Sequence, residues 1–367
     1  MQNNRLIILI ICILTALNIN AIRNCILSPK IKTAQAVVNQ DWLSPPVMVL
    51  GSDDKLKISF DELSHDYHRF IYNIVHCEAD WTPSEELFES DFLEGFNNNP
   101  IENYQNSINT NTLYTHYQVE IPNDRCQIKM SGNYILNVID EDNDEKVLEI
   151  RFMVVEPLMK LGLEVTTNTD IDVNNRHQQI SMELNYAGIN ITNHEEQIYT
   201  VVTQNSRDDN QKINIKPNMN TGRGLKWIHN RDFIFKAGNE YHKYEVLALS
   251  HPTMGIDKIS WDGNNYQVFP FICEPRINYL YDQDANGAFY IRNSDNFEND
   301  ITSDYVVVNY MLKSPKMPGG DIYIDGNWTE SADKDNYLML YDDNDKAYKA
   351  TIVQKQGYYS YQFLQAT

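Results

Sequence analysis

The stretch Arg69–Cys77, "RFIYNIVHC", decides the fold. Phe70, Tyr72, Ile74 and His76 fall on one side of an extended chain, and Ile71, Val75 and Cys77 fall on the other. That period of two, in β-branched and aromatic residues, marks a strand and not a helix. The same pattern recurs outward from it in "PVMVL" (46–50), "KLKISF" (55–60), "YTHYQVEI" (114–121), "CQIKM" (126–130), "GNYILNVID" (132–140) and "KVLEIRFMVVE" (146–156). Turn-forming "GSDD", "PNDR", "MSGN" and "DEDNDE" separate these runs. About seven strands in ~120 residues with no long helical period argue for an antiparallel sandwich.

Pro157 closes that series, and two more follow. "LGLEVTTN", "QQISMELNY", "QIYTVVTQN", "DFIFKAG", "EYHKYEVLAL" and "YQVFPFICE" run to Pro275. "FYIRN", "DYVVVNYML", "GDIYIDGNW", "NYLMLYDD", "AYKATIVQ" and "YYSYQFL" fill the rest. The expected organisation is all-β, with tandem immunoglobulin-like sandwiches at 30–156, 157–275 and 276–367 and few short helices. The one local helix signal is "TPSEELF", where Thr82 as N-cap, Pro83 at the first position and Glu85 at the third form a capping-box pattern.

Residues 1–21 stand apart. One positive charge at Arg5, the apolar "LIILIICILTAL" and a small residue at Ala21 form a secretory signal peptide. The apolar run is too short for a membrane span, which needs ~20 residues. The chain is therefore expected to be exported, and its formal charge of −21 makes nucleic acid a poor partner. Cys25, Cys77, Cys126 and Cys273 remain after the leader. Cys77 and Cys273 sit in apolar runs that suit free buried thiols as well as bridges. If a disulfide forms, Cys77–Cys126 is the favoured pair, since both lie in the first sandwich.

The chemistry-bearing motifs are sparse. There is no G-x-S-x-G elbow, S-x-x-K or H-E-x-x-H. His65 and His68 in "HDYH" lack a third ligand nearby. "DEDNDE" (Asp140, Asp142, Asp144), "DQDANG" (Asp282, Asp284, Asn286, Gly287) and "DDND" (342–345) each alternate oxygen ligands, yet none completes a calcium loop, and solvated turns explain them better. No catalytic residue, metal or cofactor is expected. Trp81, Trp227, Trp261 and Trp328 are candidates for stacking on sugar rings, against core packing as the commoner use of Trp.

Taken in order, "IKTAQ", "LGSDDKLKISFDEL", "YNIVHCEADWTPSE", "FLEGF", "NTLYTHYQVEIPND", "SGNYILNV" and "RFMVVEP" resemble the plug protein family of the type IX secretion system of Bacteroidota. "YDQDANGAFYIR" and "GYYSYQF" extend the likeness toward the end of the chain. The resemblance implies a non-enzymatic subunit at the periplasmic side of the outer membrane. It would not span that membrane, and would occlude the periplasmic opening of a large β-barrel translocon when cargo is absent. Composition adds Asp80, Trp81 and Pro83, with Asp284, Asn286 and Gly287, as expected partner contacts. The third segment also looks like an early-set immunoglobulin-like domain of the kind found beside carbohydrate-active enzymes, which supports an exported glycan-binding protein as the alternative. Its last strand is expected to be incomplete at Thr367, leaving an open edge.

Overall fold

The computed structural model describes residues 23–207, 209–329 and 334–366; the expected signal peptide lies outside them. Strands dominate, and the α-helices among the described residues are the single turns Glu89–Phe92, His194–Gln197 and Asn299–Thr302. None of the described helices is long and apolar enough to cross a membrane. The fold is all-β, as the period-two patterning predicts.

In the first unit a six-stranded sheet runs Cys25–Ile26, Glu145–Val155, Gly132–Asp140, Phe70–Cys77 and Asn99–Pro100, with Val47–Val49 alongside Glu145–Val155. A four-stranded sheet runs Ile31–Val38, Leu56–Glu62, Thr115–Ile121 and Asn103–Asn106. The inward residues of both meet in one core, where Phe60 stacks on Tyr117 at 5.3 Å and Tyr134 on Phe152 at 5.3 Å. Phe70, Tyr72 and Ile74 point into that core, the side that alternation assigns them.

The helix expected at 82–88 does not form. Pro83 instead bridges back to Cys77, and the nearby helical turn is Glu89–Phe92. Proline has no N–H to give, so its carbonyl side serves a strand edge as readily as a first helical position. The Cys77–Cys126 pairing is also corrected, since both thiols are free. Cys126 belongs to the core, whereas Cys77 lies on the opposite face of its strand from Phe70, Tyr72 and Ile74, so the sheet stands between them.

The second unit is smaller. Lys160–Thr166, His177–Asn185, Gly224–Trp227, Met219–Asn220 and Ile234–Lys236 form a sheet, with a hairpin of Val201–Thr203 and Gln211–Ile213 adding to its core. The strands expected to complete it, His242–Glu245, Ile256–Trp261 and Tyr266–Pro270, pair elsewhere. They join the nine-stranded sheet of the third unit, so the expected division at 275 falls inside a continuous hydrogen-bonded path. The reason is packing: Tyr244, Ile256 and Val268 share a core with Val306, Tyr310 and Tyr359. Gly357–Gln365 pairs with His242–Glu245, Phe289–Ile291 and Ile322–Asp325, so the last strand is taken up within the sheet and not left as an open edge.

First and third units are joined by buried charge. On Leu56–Glu62, residues 56, 58 and 60 face the first core, so Lys57, Ser59 and Asp61 occupy the face that would meet water. Asp61 is nonetheless 0% exposed, because the third unit covers it. Its Oδ2 accepts from Lys355 Nζ at 2.6 Å and from Tyr305 Oη at 2.7 Å, and its Oδ1 from His116 Nδ1 at 2.7 Å. Lys355 also donates to the Asp300 carbonyl at 2.5 Å and lies 4.1 Å from the Tyr114 ring centre. Lys57 pairs with Asp300 at 2.8 Å, and the Asp304 carboxylate accepts the Asn111 and Thr112 amides at 2.6 and 2.9 Å. Burial alone would push the Asp61 carboxyl up, but Lys355 and His116 outweigh that and hold it below its ordinary value.

Two outcomes follow from this junction. Lys355→Met, which leaves a buried carboxylate unpaired, costs about 3–5 kcal/mol of unfolding free energy, and adding Asp61→Leu restores part of it. Denaturant melts of the single and double variants decide this; simple additivity would show that the two groups are not coupled. Because the folded-state pKa of Asp61 is depressed, its contribution is present above the ordinary value of 3.8 and is lost as pH falls through the folded value. The stability gap between wild type and Asp61→Asn therefore narrows in acid, and a gap that widens below that pH contradicts the assignment.

Candidate functional site

The corner at His76–Ser84 is built by a few short hydrogen bonds. The Ser84 amide donates to the His76 carbonyl at 2.9 Å and the Glu78 amide to the Thr82 carbonyl at 2.8 Å, so the chain doubles back as a hairpin. Asp80 closes its tip, accepting the Thr82 amide at 3.1 Å and the Thr82 hydroxyl at 2.6 Å. Those two bonds hold the Asp80 carboxyl below the usual aspartate range. Trp81 follows with a backbone φ of +69°, a region that costs a bulky residue energy and that a tight turn imposes. The Arg151 guanidinium sits 5.3 Å from its ring centre.

His76 locks this corner to the core. Its Nδ1 lies 2.8 Å from Ser84 Oγ, and its ring meets Tyr134 edge-on at 5.1 Å. Gly132 is obligatory opposite it, because a Cβ there would lie 2.2 Å from His76 Nε2. The motifs "HCEADWTPS" and "SGNY" are thus two sides of one contact. Trp81, Cys77, Asn133 and Met153 of the first unit, with Tyr199 and Val201 of the second, enclose a cavity of about 620 Å³. Its walls mix apolar and aromatic side chains with the polar Glu78, Thr203, Ser206 and Gln211, and the Cys77 thiol is pushed up to about 11 by burial, so it presents no thiolate there.

The other expected contacts lie on the third unit. In "DQDANG", Asp284 Oδ1 accepts the Asn286 amide at 3.1 Å, the Gly287 amide donates to Ser360 Oγ at 3.2 Å, and the Gly287 carbonyl accepts from the Asn327 amide at 2.8 Å. Asn286 and Gly287 take left-handed φ values of +49° and +90°. The loop is a tight turn that consumes its own oxygens. It continues an exposed apolar segment in which Ile277 is 95% and Tyr281 is 76% exposed. The structure therefore gathers Asp80, Trp81 and Pro83 on one corner and Asp284, Asn286 and Gly287 on another unit.

The remaining candidates resolve individually. Trp227 and Trp328 are core residues whose indole N–H groups donate to the Ile215 and Ser360 carbonyls, at 2.6 and 3.0 Å, which removes them as sugar platforms. Trp261 is half exposed beside Tyr266. His68 pairs with Glu62 at 2.5 Å and His65 with the Ser107 carbonyl, so the two histidines face separate partners. Cys273 Sγ lies 3.6 Å from His242 Nδ1, a pairing that periodicity gave no sign of. Burial raises that thiol and drives the imidazole down to about 4, the reverse of a thiolate–imidazolium pair. Asp61, His116, Tyr305 and Lys355 were likewise invisible as a group, although the polar run Lys57-Ser59-Asp61 on one strand face was in view.

Comparison with known proteins places this geometry. No curated protein matches the chain. A hypothetical protein of Parabacteroides merdae, known from its crystal structure, is 35% identical over 94% of this chain and 87% of its own, with a TM-score of 0.90. Residues 31–156, the unit that carries the His76–Gly132 contact and Asp61, match the family model for the type 9 secretion system plug protein 1st domain. The chain belongs to the type 9 secretion system plug protein family.

Proposed function

We propose that this protein is the non-enzymatic plug that occludes the periplasmic opening of the large outer-membrane β-barrel of the type 9 system while no cargo is engaged. The observation that carries this reading is the match of residues 31–156 to the plug family's first domain. The physics agrees with it. An occluding body must keep its shape under lateral load, and the buried Asp61–Lys355–Tyr305 cluster fixes the first unit against the third. It must also offer a broad surface with few reactive groups. The exposed Ile277, Tyr279, Leu280 and Tyr281 supply apolar and aromatic area of the kind that anchors interfaces.

We assign the barrel-facing contacts to that segment with its neighbouring Asp284–Gly287 loop, and to the Asp80–Trp81–Pro83 corner. The charge of −21 suits a barrel rim with basic patches, in which case co-purification weakens as salt rises. An exported glycan-binding role is weaker, since Trp227 and Trp328 are buried in cores.

Affinity capture of this protein from an outer-membrane extract is expected to recover a barrel of secretion-system size. Deleting it should render the outer membrane permeable to large antibiotics, and an unchanged barrier with the barrel present overturns the proposal. Ile277→Asp with Tyr281→Asp, at surface positions, should leave thermal stability within about 0.5 kcal/mol of wild type. The same pair should weaken barrel capture by about tenfold or more if these residues anchor the interface.

A further inference from the structure

A second cavity, of about 570 Å³, opens between the first and third units. Its lining contains no Asp or Glu among the described residues, in a chain of net charge −21, and it contains Lys32 and Lys355. The Lys355 charge is answered by Asp61 at 2.6 Å. Lys32 has no ion-pair or hydrogen-bond partner among the described residues, and burial pushes its ammonium below the usual range.

The backbone aims Lys32 into this space. Pairing between Ile31–Val38 and Leu56–Glu62 shifts register between Lys32 and Gln35, and Thr33 at the bulge takes φ +53°. Ile31 and Ala34 both remain in the first core, so Lys32 and Thr33 both leave it. Thr33 Oγ1 meets Tyr305 Oη at 2.7 Å, while Lys32 joins the cavity wall. A bulge that redirects one side chain in this way commonly serves a site.

Gln354 also belongs to the wall. It is 5% exposed, and its Oε1 accepts from the hydroxyls of Tyr244 and Tyr310 at 2.7 and 2.6 Å. Those two bonds orient the amide, and its Nε2 is buried without a partner. The rest of the wall includes Phe289, Trp328, Tyr337 and Tyr359. A cavity of this size, mostly apolar with a few convergent polar groups, has the form of a small-molecule site.

We propose that this cavity binds a small organic carboxylate. Lys32 takes its charge, and the aromatic wall holds its apolar body. Binding in this cavity is independent of how the protein docks to a barrel. A neutral analogue lacks the charge that Lys32 requires, and a bare inorganic anion lacks the apolar body.

The test is calorimetric titration of the full mature chain with benzoate, hexanoate and indole-3-carboxylate, beside benzamide and sulfate. At least one carboxylate should bind saturably, with benzamide and sulfate about tenfold weaker or worse. Lys32→Met, which keeps the packed stem, should lose about tenfold in affinity while its melting temperature stays near that of wild type; Lys32→Arg should retain binding. A 4-bromobenzoate soak should place bromine in this cavity. No binding by any carboxylate at about 10 mM, equal binding by Lys32→Met, or a cavity filled only with water in the soaked crystal overturns the proposal.

Discussion

The Asp61–Lys355 ion pair is the interaction on which the arrangement of this molecule depends. It joins residues 294 apart in sequence, and both side chains are 1% exposed. Neither charge is tolerable there alone. An isolated buried carboxylate or ammonium costs several kcal/mol, and only the presence of the other, with the hydroxyl of Tyr305, the ring of His116 and the carbonyl of Asp300, offsets it. The first and third units are therefore not free to slide on one another, since a small displacement would strand a charge in a dry interface. An apolar interface of the same size would tolerate several registers. A polar one of this kind favours a single register.

The same logic appears at smaller scale in the His76 corner. Gly132 makes room for the imidazole, Ser84 holds its Nδ1, and Tyr134 packs its edge. The corner then presents Asp80 and Trp81 at a fixed angle beside the second unit. In both places a polar residue on a strand fixes the orientation of what lies next to it. Both belong to the segment that matches the plug family's first domain.

What was legible in the sequence was whatever depends on a period of two. The strands at 70–77, 132–140 and 145–155 are where alternation places them, and Phe70, Tyr72 and Ile74 face inward as expected. What was not legible depends on distant partners. Thr82-Pro83-x-Glu85 satisfies a helix-start pattern locally, but Cys77 claims Pro83 through the hairpin. Alternation also held the answer to the disulfide, because Cys77 sits on the odd face while the core that contains Cys126 takes the even one. The division at 275 failed because strand pairing is non-local: Tyr266–Pro270 looks alike whether it completes a second sheet or joins Tyr305–Lys313 in a third.

The clearest gap concerned the polar face of Leu56–Glu62. Read alone, Lys57, Ser59 and Asp61 form the solvent side of an ordinary strand of a sandwich. Only when the third unit is laid over them do they become a buried cluster, and that requires knowing that Lys355 ends a strand whose neighbours Ile352 and Gln354 face another core. The cover is incomplete. Beside the bulge at Thr33 the two units leave a space that Lys32 lines without a partner among the described residues. The joint that makes the body rigid thus also borders a recess lined by Lys32 and Lys355, since closing two curved sandwiches on a charged pair fixes their separation on either side of it.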